Sequence, residues 1–276
     1  PYSQTRALRR NGQTMDTKNS LYGCSCLFYG FRMMLKDGYR MYTLLPVLIN
    51  TVIMIAGMYF FMGAISSGTD RALSALPDWL SFLRWIIIPL AFICITLISA
   101  YLFVAIEGIV MSPFAGFLAE KAEEDLTGMK RPQPEIPGGR YPAYLAGVAW
   151  HSLGRTAKSY VFYLPRALLC CLVLFVPVIG QLLFPVLWLV LSGWWLAMQN
   201  LDYVFDNNGI SFDEMSDSMK RSPVQVASFG CLTAAIAAVP VANILVLPAA
   251  VIGAARLFIT DGRLNGSAGP RAGYDR

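Results

Sequence analysis

Four long runs almost free of charge dominate this chain, and they constrain its fold more than any other feature: Met41 to Ile65, Trp85 to Ala119, Ala167 to Leu201 and Ser222 to Ala255. Their lengths are 25, 35, 35 and 34 residues, and Glu107 is the one charged group in them. A bilayer core is crossed by about 20 apolar residues. A chain that is 56% hydrophobic and 14% charged, with its charge swept into the gaps between such runs, reads as an integral membrane protein. The same inventory excludes much chemistry. A single histidine, His151, cannot build a multi-histidine zinc site, and the six cysteines contain no CxxC pair. No metal or other cofactor is expected. Walker, GxSxG and HExxH patterns are absent, so an enzyme is not expected either. The net charge of +5 shows no clustered basic face of the kind nucleic acid requires.

Along the chain, residues 1–20 read as a flexible basic arm and 21–40 as an interfacial amphipathic helix ending in an anion-binding turn. Residues 41–65 read as a transmembrane helix. Residues 85–127 read as a second, longer one that leaves the membrane near Pro113 and stops at Gly128. A Pro/Gly-rich linker and polar helix occupy 128–158. Two membrane hairpins follow, at 160–201 and 222–260, joined by an acidic connector at 202–221, and a tail closes the chain at 261–276. Lys and Arg number seven in residues 1–40, two in 66–84 and seven in 120–166, which places the N-terminus on the cytoplasmic side of two true spans.

The last two runs repeat one another. VPVIGQLLFPVL from Val176 aligns with VPVANILVLPAA from Val239, pairing Pro177 with Pro240 and Pro185 with Pro248 at a constant offset of 63. Each reads as a hairpin whose tip lies between its two prolines and whose arms, about 10–18 uncharged residues or roughly 15–27 Å long, enter the membrane partway. Long, proline-kinked single spans are the alternative pattern. Paired, interrupted apolar segments point to a transport site. The expected fold is therefore all-α: two long transmembrane helices plus two partially penetrating helical hairpins.

An anion site needs fixed positive charge and unpaired N–H donors, and a helix N-terminus supplies the donors. Gly38, Tyr39 and Arg40 stand directly before the first span and are the candidate anion site. The candidate pathway residues are Asn50 in that span, Glu107 as an acid in an apolar stretch, Arg166 at the first hairpin, and Gln181 and Asn243 between the paired prolines. EKAEED, 120–125, reads as a solvated helix face, and LDYVFDNNGISFDEM, 201–215, as structural.

PFAGFLAEKAEEDLTG, YLPRALL, VPVIGQLLFPVLW and LDYVFDNNGISFDEM together resemble the CysZ-type sulfate permeases of the bacterial inner membrane, in order, from about Gly30 to Gly262. The resemblance implies sulfate uptake feeding cysteine synthesis, with sulfite as a further possible anion, in a multi-pass homo-oligomer within the lipid bilayer. It also implies a sulfate site at a Gly-Leu-Arg type motif. Here Gly38 and Arg40 match, Tyr39 replaces the leucine, Met41 stands where a second arginine is common, and Ala115 replaces an asparagine. A non-conducting structural or regulatory subunit, and a proton-coupled symporter using Glu107, are the competing expectations.

Overall fold

The computed structural model describes residues 21–49, 51–53, 55–57, 59, 85, 89–90, 93–94, 114–130 and 141–265. Every regular element among them is helical. They are α1 (Tyr22–Met33), α2 (Arg40–Gly57), α3 (114–127), α4 (Tyr141–Leu172), α5 (Ile179–Asn207), α6 (Phe212–Arg221), α7 (Pro223–Ala237), α8 (Pro240–Thr260) and the single turn α9 (Gly262–Asn265). The described residues of Pro1–Thr43 and Ala115–Arg276 form one compact unit, and those of Leu44–Phe114 form a second. The N-terminal arm, the loop at 66–84, most of the second expected span, the glycine- and proline-rich part of the linker at 131–140 and residues 266–276 of the expected tail lie outside the described residues, as do Asn50 and Glu107, while residues 261–265 of that tail hold α9, with Asp261 and Leu264 buried.

The first unit is built on helix crossings that small residues make possible. Helix α1 buries Tyr22, Gly23, Cys26, Leu27 and Gly30, one face at helical spacing, against α7 and α8. A Cβ on Gly30 would stand 1.9 Å from the Ala249 carbonyl oxygen, so only glycine lets the two backbones meet there. Helix α5 crosses α7 in the same way, with a Cβ on Gly230 falling 1.9 Å from the Gly193 carbonyl oxygen. Met198, Leu201, Phe205, Phe229, Ile252, Leu257 and Phe258 fill the space behind these crossings, and the Phe205 and Phe258 rings meet edge to face at 4.8 Å. Helix α1, expected as an interfacial amphipathic helix, is held along this face by the protein. Gly230→Ala is expected to force α5 and α7 apart and to lower stability by roughly 2 kcal/mol. Gly154→Ala, in an exposed helix interior where a new Cβ meets nothing within 4 Å, serves as the control and should hold or slightly raise stability. Thermal melting of the two purified variants in one detergent checks the pair.

The repeat emerges with its offset intact and its turn displaced. The first break is a 3-10 turn at Val173–Phe175, after which Val176 is extended (ψ 112°) and Val178 takes a positive φ of 64°. In the second, Val239 is extended (ψ 115°) and Pro240 opens α8. The residue before a proline is disfavoured in the helical region, and Val176 and Val239 follow that preference into extended backbone, whereas Phe184 and Leu247 stay helical before theirs. Both breaks therefore fall at the first proline of each pair, not midway between the two as the sequence suggested. The second prolines, Pro185 and Pro248, sit inside α5 and α8, which continue past them at the loss of one backbone hydrogen bond each.

The helices of the first pair run past their uncharged arms. Gly154–Phe175 and Ile179–Asn207, 22 and 29 residues, are each long and apolar enough to cross a membrane, as is Arg40–Gly57. The first pair outruns the expected 10–18 residues because helix continues beyond the uncharged run, upstream through Arg166 and downstream through Asp202. The second pair is shorter, with apolar helices at Pro223–Ala237 and Leu245–Thr260. Leu168, Leu169, Leu172, Phe175, Ile179 and Leu182 are all exposed around the first break, an apolar surface suited to lipid rather than water.

Candidate functional site

The polypeptide between α1 and α2 is a tight turn. The Lys36 amide donates to the Met33 carbonyl, and the amides of Tyr39 and Arg40 both donate to the Lys36 carbonyl, at 3.0 and 3.2 Å. Gly38 at φ +89° lets the chain reverse there, a conformation in which any side chain would be strained. Two of the amides offered by this helix start are thus already taken. Those of Met41 and Tyr42 have no backbone acceptor among the described residues and are the donors left to a ligand.

The three sequence-predicted residues fare differently. Arg40 is mostly exposed; its Nε donates to the Leu35 carbonyl at 2.7 Å, and its Nη1 lies 3.3 Å from the Asp37 carboxylate. These contacts leave the outer edge of the guanidinium open to solvent, above the helix start. Tyr39 points the other way, fully buried, with its hydroxyl hydrogen-bonded to Asp125 of α3. Burial first, and then that bond, push its pKa far above the ordinary phenol range. It positions the turn. Lys121, also of α3, lies alongside Gly38, its Cε 3.7 Å from where a Cβ would be. Its Nζ is 2.8 Å from the Asp125 carboxylate. Tyr39, Asp125 and Lys121 therefore staple the turn to α3 and bring a second cation beside it.

Partial burial of Asp125 opposes ionisation, but hydrogen bonds from Lys121 and Tyr39 win and hold its carboxyl below the ordinary range. A carboxyl with a lowered folded-state pKa stabilises above its unfolded pKa, and that contribution is lost as pH falls through the folded value. The staple is accordingly expected to weaken in acid below the usual carboxylate range. Asp125→Asn, which has no carboxyl there to titrate, should melt earlier than the wild type at neutral pH and lose less on acidification. Melting temperature against pH for both proteins checks this.

The remaining candidates are not gathered around Arg40. Arg166 folds back on its own helix, with Nη1 donating to the Phe162 carbonyl and its guanidinium 3.6 Å from the Phe162 ring centroid. Gln181 is exposed in the first turn of α5, and Asn243 is partly exposed in the first turn of α8, each just past a proline break. Both stand at corresponding ends of the two hairpins.

Sequence reasoning missed a buried constellation at the base of the first hairpin. Arg155 of α4 is buried and reaches Asp202 of α5 through Nε and Nη2, at 2.9 and 2.5 Å. Its Nη1 donates to the Ile210 carbonyl at 2.9 Å and lies 3.3 Å from Asp206. Next in sequence, Asn207 donates to the Gly116 carbonyl, and Asn208 donates to both carboxylate oxygens of the buried Glu123. Ser211 and Glu214 then form a reciprocal capping box that starts α6. The motif LDYVFDNNGISFDEM is thus structural, as its sequence suggested, and ties α3, α4, α5 and α6 together. EKAEED, by contrast, is more than a solvated face: Glu123 and Asp125 each anchor a distant segment. The only signal for these roles was an arginine and several acids near the ends of apolar runs.

Residues 26–248 match the family model described as Sulfate transporter CysZ/Etoposide-induced protein 2.4. The sulfate transporter CysZ of Pectobacterium atrosepticum is 35% identical over 237 residues, which cover 86% of this chain and 84% of that one. With three span-length apolar helices among the described residues and this family match, the chain is a membrane protein. Matched over most of its length by both the family model and a relative at this identity, the chain belongs to the Sulfate transporter CysZ/Etoposide-induced protein 2.4 family.

Proposed function

We propose that this protein is a sulfate channel or permease of the bacterial inner membrane, a multi-pass homo-oligomer whose imported sulfate feeds cysteine synthesis. One observation carries the site assignment: the Gly38 turn presents the open edge of Arg40 over the first turn of a span-length helix, with the Met41 and Tyr42 amides unclaimed and Lys121 alongside. A tetrahedral dianion asks for this combination of fixed charge, N–H donors and a favourable helix dipole. The likeness to a sulfate transporter supports sulfate as the anion, and the same site would accept sulfite on charge and shape.

Beyond the mouth, Gln181 and Asn243 at the starts of α5 and α8 supply amide groups next to backbone freed by the two Val-Pro breaks. Such groups suit a route that an oxyanion follows in hydrogen-bonded steps. A bacterium stripped of its own sulfate uptake systems should grow on sulfate as sole sulfur source when this chain is expressed in its inner membrane. Failure to grow there, with growth on cysteine intact, would count against uptake.

A further inference from the structure

Helix α1 and the turn that follows present a stripe that neither the fold nor the anion site uses. Leu21, Phe28 and Leu35, spaced seven apart, are each more than half exposed, and Arg32 and Lys36 are exposed between and beside them. The opposite face of α1 is buried, so this stripe is its outer surface. Neither Arg32 nor Lys36 has an ion-pair partner among the described residues. The nearby acid Asp37 is engaged by Arg40.

Position decides what such a stripe meets. The span-length helix α2 begins at Arg40, four residues after Lys36, so the end of the stripe at Leu35 and Lys36 adjoins the depth where acyl chains give way to headgroups. Large apolar side chains interleaved with basic ones suit that layer: the former enter the acyl boundary and the latter reach phosphate. Two unpaired cations favour a headgroup with net negative charge over a zwitterionic one. We propose that Arg32 and Lys36, with Phe28 and Leu35, form a docking site for an acidic phospholipid, and that its phosphate, lying next to Arg40, competes electrostatically with the arriving substrate anion. The competition rests on the sulfate-uptake reading above, whereas the lipid site itself does not.

The test uses the full-length protein and its Arg32→Ala/Lys36→Ala variant, which alters exposed side chains only. Each is reconstituted in vesicles of phosphatidylcholine alone and of phosphatidylcholine with phosphatidylglycerol, then extracted in mild detergent. Lipid retained on the protein is read by native mass spectrometry, and the KM for sulfate uptake is measured in both vesicles. The wild type should retain phosphatidylglycerol over phosphatidylcholine, the variant should lose that preference by roughly tenfold, and phosphatidylglycerol should raise KM for the wild type alone. Equal retention of the two lipids by the wild type, or an unchanged preference in the variant, overturns the lipid site. A preference without any change in KM overturns the competition. If no vesicle takes up sulfate, the uptake reading fails while lipid retention still decides the docking site.

Discussion

Arg155→Ala is expected to be the most destabilising single substitution in the described part of the chain. The guanidinium is buried and its N–H groups are spent on Asp202, Asp206 and the Ile210 carbonyl. Truncation leaves two carboxylates one helical turn apart on α5, both of them largely enclosed, with their shared cation gone and a buried carbonyl unsatisfied. Breaking a buried pair from one side costs roughly 3–5 kcal/mol, and most of that is the stranded charge. Arg155→Lys keeps the charge but not the planar fork and should fall between. Combining Arg155→Met with Asp202→Asn and Asp206→Asn removes all three charges and should recover much of the loss. Thermal melting of the four proteins in one detergent, followed by loss of the monodisperse peak, gives the order. Similar melting of the alanine variant and the wild type would show that the hairpin base is held by something else.

The second large effect is on binding. Arg40→Ala should weaken sulfate binding by about tenfold or more, the value of one charge-assisted hydrogen bond of roughly 1.5–3 kcal/mol. The lower part of that range is appropriate, since the side chain is 62% exposed and water screens it. Thermal stability should hardly change, because the substitution removes only an exposed ion pair and one exposed hydrogen bond to the Leu35 carbonyl. Asp37→Asn carries the opposite sign: it removes a competing carboxylate 3.3 Å from Arg40 and should strengthen sulfate binding. Equilibrium binding of labelled sulfate to the purified variants checks both signs. Equal affinity in all three proteins would place the anion elsewhere.

What the sequence made legible is governed by range along the chain. The Gly128 stop, the reversal at Gly38 and the helix breaks at Val176-Pro177 and Val239-Pro240 follow from backbone preferences of one or two residues, and each stands where those preferences put it. Their 63-residue offset was visible for the same reason. The turn was nonetheless misplaced between the prolines, because a proline inside an apolar helix removes one bond without ending it, as at Pro185 and Pro248. The helices of the first pair run on past the uncharged arms because Arg166 lies along its own helix and Asp202 is paired with Arg155.

The candidate site was half legible. Arg40 could be found from its own position at the start of a span. Lys121 and Asp125 could not, since what gives them a role is Tyr39, more than 80 residues away, and the i,i+4 spacing of the pair looks like any surface ion pair. Arg155 and Asp202 lie 47 residues apart and were equally invisible. Tyr39, named for its place in the motif, turned out to face the protein interior.

The most direct test of the account is uptake of labelled sulfate into liposomes that contain this purified protein and no other. The account predicts that sulfate enters faster than in protein-free liposomes, that Arg40→Ala slows entry at low sulfate concentration, and that Arg40→Lys slows it less. Entry no faster than in protein-free liposomes, with the protein monodisperse and helical by circular dichroism, would contradict it.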